Sequence, residues 1–178
     1  PHIAVQTLGG AASMSIRCAN PRVFIGRLIL LAGLEAILPL PYLWLTGASM
    51  AYVLLVIVLA LLQFVLFGIA VGRARGKYGV HAPAVSGNEQ FERYFRVHVN
   101  TLEQLVVFIP AIWLFAQFVS PLWAAGLGGV YLAGRTLYFL SYVKDPKSRG
   151  LGFALSSVPS LVMLVGVLVE ALRMLSLG

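Results

Sequence analysis

The sequence predicts an all-α membrane protein: a four-helix transmembrane bundle over residues 50–178, with an additional hydrophobic helix ahead of it at 23–46. Three observations predict this. Of the 178 residues, 60% are hydrophobic and only 11% are charged, against roughly 25% charged in an ordinary soluble domain. The apolar residues gather into runs long enough to cross about 30 Å of hydrocarbon. Between the runs lie short segments rich in basic residues and turn formers.

Residues 1–22 are small-residue-rich without a sustained period, and are expected to form a weakly ordered tail. The opening Pro-His-Ile-Ala-Val-Gln lacks a basic segment followed by an apolar one and a small-residue cleavage site, so it is not read as a cleavable signal. The run at 23–46 is long enough to span but is interrupted by Glu35, Pro39 and Pro41, so it either crosses the membrane or lies in its interface. Residues 50–72 carry Gln63 as their one strongly polar side chain and end at Arg73, Arg75 and Lys77, which predicts a membrane helix with a basic flank. Pro83, Gly87 and Asn88 then turn the chain.

The next helix is expected from Gln90 or Phe91 to Phe118, bent at Pro110 and stopped by Ser120-Pro121. Residues 122–143 form a further span whose Gly126, Gly128 and Gly129 permit close helix approach. Asp145-Pro146 marks a turn, and 151–172 is the last span. Basic residues collect in the segments 73–93 and 144–150, whereas the connection at 117–122 carries none, so the first two are expected to be cytoplasmic. The expected location is therefore a multi-pass protein of a bacterial inner membrane.

The net charge of +7 is divided among short segments beside apolar runs, where topology and anionic lipid account for it. Nucleic acid is not an expected partner. Cys18 is the single cysteine and the three histidines are widely spaced, which offers neither an intrachain disulfide nor a metal cluster.

Charged side chains at the edge of a membrane helix need a reason, since one in hydrocarbon costs roughly 2.5 to 3.5 kcal/mol on insertion scales. Arg93, Arg96, Asn100 and Glu103 are spaced by three, four and three, which places them on one helical stripe. Arg135, Tyr138 and Tyr142 make a second stripe on another helix, with Arg149 following seven residues on. Together they offer guanidinium groups for carboxylates, an amide and a carboxylate for peptide-like groups, and phenols for hydrogen bonding. A small, charged, peptide-like ligand would suit them. The competing reading has Arg96 and Glu103 neutralising each other and Asn100 joining helices. Tyr138 and Tyr142 read equally as interfacial aromatic anchors, and His98 lies on a different face, where it meets a neighbouring helix or subunit.

At these residues the chain resembles the MAPEG family, the membrane-associated proteins in eicosanoid and glutathione metabolism. The resemblance covers residues 50 to 178 and rests on Phe-Glu-Arg-x-x-Arg-x-His-x-Asn-x-x-Glu at 91–103 and on Gly-Arg-x-x-Tyr-x-x-x-Tyr with a downstream Arg at 134–149. It implies four-helix subunits in a homotrimer, with glutathione as co-substrate between neighbouring subunits near the cytoplasmic side. It also implies that Arg96, Asn100, Glu103, Tyr138 and Tyr142 hold glutathione, with Arg75 and His98 contributed across the interface; Arg93 joins the candidates from its stripe. Arg149 resembles the arginine that keeps the glutathione sulfur as a thiolate.

The implied activity is a membrane glutathione transferase or peroxidase with a detoxification role, acting on a hydrophobic electrophile or lipid hydroperoxide. Two departures, Gln104 for a tyrosine and Gly76 for the second of two arginines, argue against the leukotriene-forming branch. The alternative is a non-catalytic lipid-binding or scaffold protein of the same fold. A proton-coupled transporter is a third reading, but Glu103 sits near the cytoplasmic edge and Glu35 in the first run, so it lacks a midplane acid.

Overall fold

The computed structural model describes the backbone of residues 40–177 and the side chains of residues 47–177. The expected tail at 1–22, and all of the 23–46 helix before its last residues, lie outside the described residues. From Leu43 onward the chain forms one compact unit. Its four long helices are α1 (Leu40–Tyr78), α2 (Glu89–Phe118), α3 (Pro121–Lys144) and α4 (Gly150–Leu177), with a 3-10 turn at Pro146–Arg149 before α4.

The helix α1 runs further than the sequence reading. It is continuous through 47–49, and it carries Arg73, Arg75 and Lys77 on helix rather than in a loop. Nothing between Gly72 and Tyr78 forbids helix, and a single glycine interrupts it at only about 1 kcal/mol. Gly79 ends it with φ of 68°, and the Val80 N–H donates to the Arg75 carbonyl at 3.2 Å. This is the six-to-one bond of a Schellman cap, in which glycine takes the left-handed position that costs other residues more. The expected loop at 73–93 therefore contracts to 79–88.

Local capping chemistry fixes the other boundaries. The Asn88 side chain accepts from the backbone of Gln90 and Phe91 and begins α2. Ser120 caps α3 with Pro121 in its first turn, where a missing N–H is harmless. Asp145 accepts from the Lys147 backbone to start the 3-10 turn that presents Arg149.

Three of the described helices, taken as Gly47–Tyr78, Glu89–Phe118 and Pro146–Leu177, are long and apolar enough to cross a membrane. The expected span at 122–143 does not join them on composition. Its glycines, tyrosines and Arg135 dilute the apolar content, yet at 24 residues it is about 36 Å long. Antiparallel packing carries it across: a tight connection joins it to α2 at one end, and at the other Arg93 near the start of α2 donates to its last carbonyls.

The helices α2, α3 and α4 pack against one another, α3 and α4 closely enough for backbone contact. A Cβ on Gly134 would stand 2.6 Å from the Leu155 carbonyl carbon, and one on Gly152 would strike the Tyr138 backbone. Of the three glycines expected to allow close approach, Gly128 does so, against Val56 and Ile112, while Gly126 and Gly129 face open space. One apolar core gathers Val53, Val56, Phe108, Ile112, Tyr131 and Met163, and outward leucines and valines of α1 such as Leu55, Leu62 and Leu66 are more than half exposed. An apolar exterior of that kind belongs in lipid.

Candidate functional site

The polar residues of α2 and α3 meet along one seam, and its hub is Arg135, which is 0% exposed. Its guanidinium donates to Thr101 Oγ1 at 2.6 Å, to Asn100 Oδ1 at 3.2 Å and to Ser156 Oγ at 3.4 Å. The Asn100 amide in turn donates to Glu103 Oε2 at 3.1 Å. The carboxylate of Glu103 thus reaches the buried cation through an amide rather than by direct contact. Gly134 and Gly152 bring α3 and α4 close enough for Ser156 to take part.

From this hub a stack leads outward in which two aromatic rings lie between two guanidinium groups. The Arg135 guanidinium lies 4.4 Å from the Tyr138 ring centroid, Tyr138 and Tyr142 are 5.4 Å apart and tilted, and the Arg149 guanidinium lies 5.7 Å from the Tyr142 ring. The 3-10 turn carries Arg149 back over the end of α3, and so the sevenfold spacing in sequence becomes a contact in space. Each such cation–π contact contributes roughly 0.5 to 1 kcal/mol where exposed and more where desolvated.

Beside this stack is a cleft of about 370 Å³ between the start of α2 and the end of α3, lined by Arg93, Arg96, Glu89, Glu92, Tyr142 and Pro146 among others. Arg96 is exposed there, and among the described residues it makes no hydrogen bond or ion pair. The expectation that Arg93 offers its guanidinium to a ligand needs correction, because Arg93 is bound to Glu89 at 2.6 Å and donates to the Val143 and Lys144 carbonyls. The competing reading that Arg96 and Glu103 neutralise each other also fails, since the partner of Glu103 is Asn100. Among the candidate residues, the exposed Arg96 and Arg149 are without an acidic partner among the described residues.

Of the candidates, Arg93, Arg96 and Tyr142 line this cleft; Asn100 and Glu103 belong to the Arg135 hub, Tyr138 and Arg149 to the stack, and Arg75 and His98 to none of these. Arg75 donates to the carbonyls of Ala84 at 2.7 Å and Val80 at 3.5 Å and lies over the Phe91 ring. His98 is stacked on Phe64 at 4.3 Å, against Gly68 of α1, with a buried Nδ1 that has no hydrogen-bond partner among the described residues. Sequence reasoning had noted Arg135 in its stripe but not as the hub, and it passed over Thr101 and Ser156. Their only local signal is that each hydroxyl can turn back on its own helix, to Val97 and Gly152; their shared partner depends on packing.

An apolar-walled helical bundle with a buried arginine hub and, at one end, a cleft lined by both arginines and carboxylates defines an integral membrane protein with a built polar site. The match of residues 52–169 to the MAPEG family places it further: this chain belongs to the MAPEG family. An uncharacterized protein of Synechocystis sp. is 46% identical over 127 residues, covering 71% of this chain and 93% of that protein. Microsomal glutathione S-transferase 2 of Homo sapiens is 42% identical over 103 residues, 57% of this chain and 70% of its own length. Leukotriene C4 synthase of Rattus norvegicus is 35% identical over 83 residues, 47% of this chain and 55% of its own.

Proposed function

We propose that this chain is a membrane-bound glutathione transferase or peroxidase, with Arg149 as the residue that holds the glutathione sulfur as a thiolate. The observation that carries the reading is a pair of arginines without an acidic partner among the described residues, Arg96 lining the cleft with Tyr142 and Arg149 beside the Tyr142 ring, in a chain similar to a microsomal glutathione S-transferase. Glutathione has two carboxylates, peptide amides and one thiol. Arg96 would meet a carboxylate, Asn100 and Glu103 the amide and amino groups, and Tyr138 and Tyr142 the body of the peptide, while Arg93, already held by Glu89 and two α3 carbonyls, would shape the cleft wall. In a homotrimer, Arg75 and His98 would come from the neighbouring subunit.

A free thiol of pKa ~8.5 is mostly protonated at neutral pH, and an adjacent guanidinium favours the nucleophilic thiolate. Arg suits this role because it keeps its charge when partly desolvated. The thiolate attacks an electrophilic carbon of a lipophilic substrate arriving from the bilayer, and the leaving group departs with the bonding pair. In the peroxidase form two thiols reduce one lipid hydroperoxide to an alcohol and water and become a disulfide. Neither route needs a covalent bond to the protein. The membrane is taken to be a bacterial inner membrane, with the segments 73–93 and 144–150 on the cytoplasmic side, where Arg73, Arg75, Lys77, Lys144, Lys147 and Arg149 gather.

Purified protein in detergent should conjugate glutathione to a chloronitrobenzene acceptor. Arg149→Ala should lower kcat about 100-fold, the scale of removing one donor aimed at developing charge, while leaving the melting temperature in place because Arg149 is exposed. Unchanged turnover in that variant refutes the role of Arg149. Absence of any glutathione-dependent thermal shift in the parent protein, at millimolar ligand, refutes the enzyme reading and favours a non-catalytic lipid-binding protein.

A further inference from the structure

Beside the first cleft, at the same end of the bundle, a second cleft of about 350 Å³ opens between α1 and α2. Arg73, Lys77 and Tyr94 stand at its polar end, and Leu66, Ile69 and Ala70 form its apolar wall. We propose that this cleft binds an anionic phospholipid, with the phosphate between Arg73 and Lys77 and one acyl chain along Leu66, Ile69 and Ala70. The proposal is independent of the thiol chemistry assigned to the first cleft.

Charge is the first argument. Glu89 and Glu92 line the first cleft, but no carboxylate lines this one. Arg73 and Lys77 are both exposed; among the described residues Arg73 makes no hydrogen bond or ion pair, and Lys77 meets only the Tyr78 ring at 5.3 Å. Two unneutralised cations one helical turn apart have Cβ atoms about 5 to 6 Å from each other, a separation that a single phosphate can bridge.

The shape of the cleft is the second. A free anion in water would need only the cations. Here they stand directly above an apolar wall reaching seven residues back to Leu66, about 10 Å along the axis, and Leu66 is 62% exposed. A cation pair continuous with an exposed apolar groove is complementary to a ligand that joins a phosphate to a hydrocarbon chain. Tyr94 closes the cleft from α2, its ring edge-on to Phe139 at 5.8 Å, and its hydroxyl makes no hydrogen bond among the described residues, so a headgroup oxygen can accept from it. Basic pockets between membrane helices at the cytoplasmic surface recognise anionic headgroups on these same terms. The positive-inside rule alone would scatter basic residues along the flank without a wall or a second helix.

The test uses the full chain in a neutral detergent. Thermal melts are recorded with phosphatidylglycerol, with phosphatidylcholine of the same acyl chains, and with glycerophosphoglycerol, the headgroup without chains. The expected result is a larger upward shift with phosphatidylglycerol than with either alternative, lost in the Arg73→Gln/Lys77→Gln double variant and kept in Lys144→Gln/Lys147→Gln, which removes equal charge elsewhere. The proposal is overturned by a shift that survives in Arg73→Gln/Lys77→Gln, by one lost equally in both double variants, or by equal effects of the zwitterionic lipid or the bare headgroup. Native mass spectrometry of the parent protein gives a reading that does not depend on a variant folding: retention of phosphatidylglycerol over phosphatidylcholine is expected, and equal retention overturns the site.

Discussion

Arg135 is a full positive charge inside a membrane bundle, and replacing it by methionine separates what it does for the fold from what it does for the site. Its three hydrogen bonds, to Thr101, Asn100 and Ser156, would together be worth about 2 kcal/mol at the ~0.6 kcal/mol average measured between membrane helices. Against this stands the cost of holding an ion away from water, several kcal/mol after relaxation. Thr101 and Ser156 keep their backbone bonds to Val97 and Gly152 when the guanidinium is gone, so neither hydroxyl proton is orphaned. The two terms roughly offset, and Arg135→Met should melt within a few degrees of the parent protein.

The site should respond differently. Asn100 Oδ1 has Arg135 as its one donor, and that bond fixes which way the amide points and so how it meets Glu103. Without it the amide is free to turn, and the loss of one oriented hydrogen bond, about 1.4 kcal/mol, corresponds to tenfold in affinity. The assay is the dependence of melting temperature on glutathione concentration, which yields Kd by linkage. Parent affinity in Arg135→Met would refute the idea that Arg135 orients the ligand-facing amide. A methionine variant that cannot fold while Arg135→Lys does would show instead that the buried charge serves the bundle.

Three other outcomes follow from single contacts. Gly152→Ala should lower the melting temperature sharply or abolish folding, because its Cβ would strike the Tyr138 backbone, whereas Gly126→Ala, with nothing within 4 Å, should be neutral or stabilising by up to about 1 kcal/mol; equal melting of the two would refute the close α3–α4 contact. Asn88→Ala should cost about 1 kcal/mol of stability, typical of a lost N-cap, since its side chain serves both Gln90 and Phe91, and hydrogen exchange should speed up at those two amides first. Arg93→Gln should destabilise the protein more than Arg96→Gln, having both Glu89 and two α3 carbonyls to lose, while Arg96→Gln should weaken glutathione binding more; a reversed order in either measurement would show that the unpaired cation has been misassigned.

What the sequence made legible was the chemistry that acts within a few residues. Asn88, Ser120-Pro121 and Asp145-Pro146 cap or start helices in the structure as their types require, because a cap needs only its own next turn. Of the stripe Arg93, Arg96, Asn100 and Glu103 that the 3.6-residue period puts on one face, Arg93 and Asn100 reach α3, and Arg96 and Glu103 stay exposed. The end of α1 was read too early because a basic cluster marks the edge of a membrane but does not break a helix; the break came at Gly79, where the backbone turns left-handed.

Partner choice was the part that periodicity could not supply. Spacing put Arg96 and Glu103 on the same stripe, yet Glu103 answers Asn100, and Asn100 answers a cation from another helix. Arg93 could have been removed from the list of free cations on sequence alone, since Glu89 lies four residues earlier, in the favourable order for a helical ion pair. Arg135 could not have been placed so, because its burial depends on Gly134 and Gly152 letting α4 approach until Ser156 reaches the guanidinium. A polar residue in a membrane helix is therefore read in two stages. Local spacing says which face it is on, and only the packing of small residues on the opposing helices says whether that face is a ligand site or, as with Arg135, the support behind one.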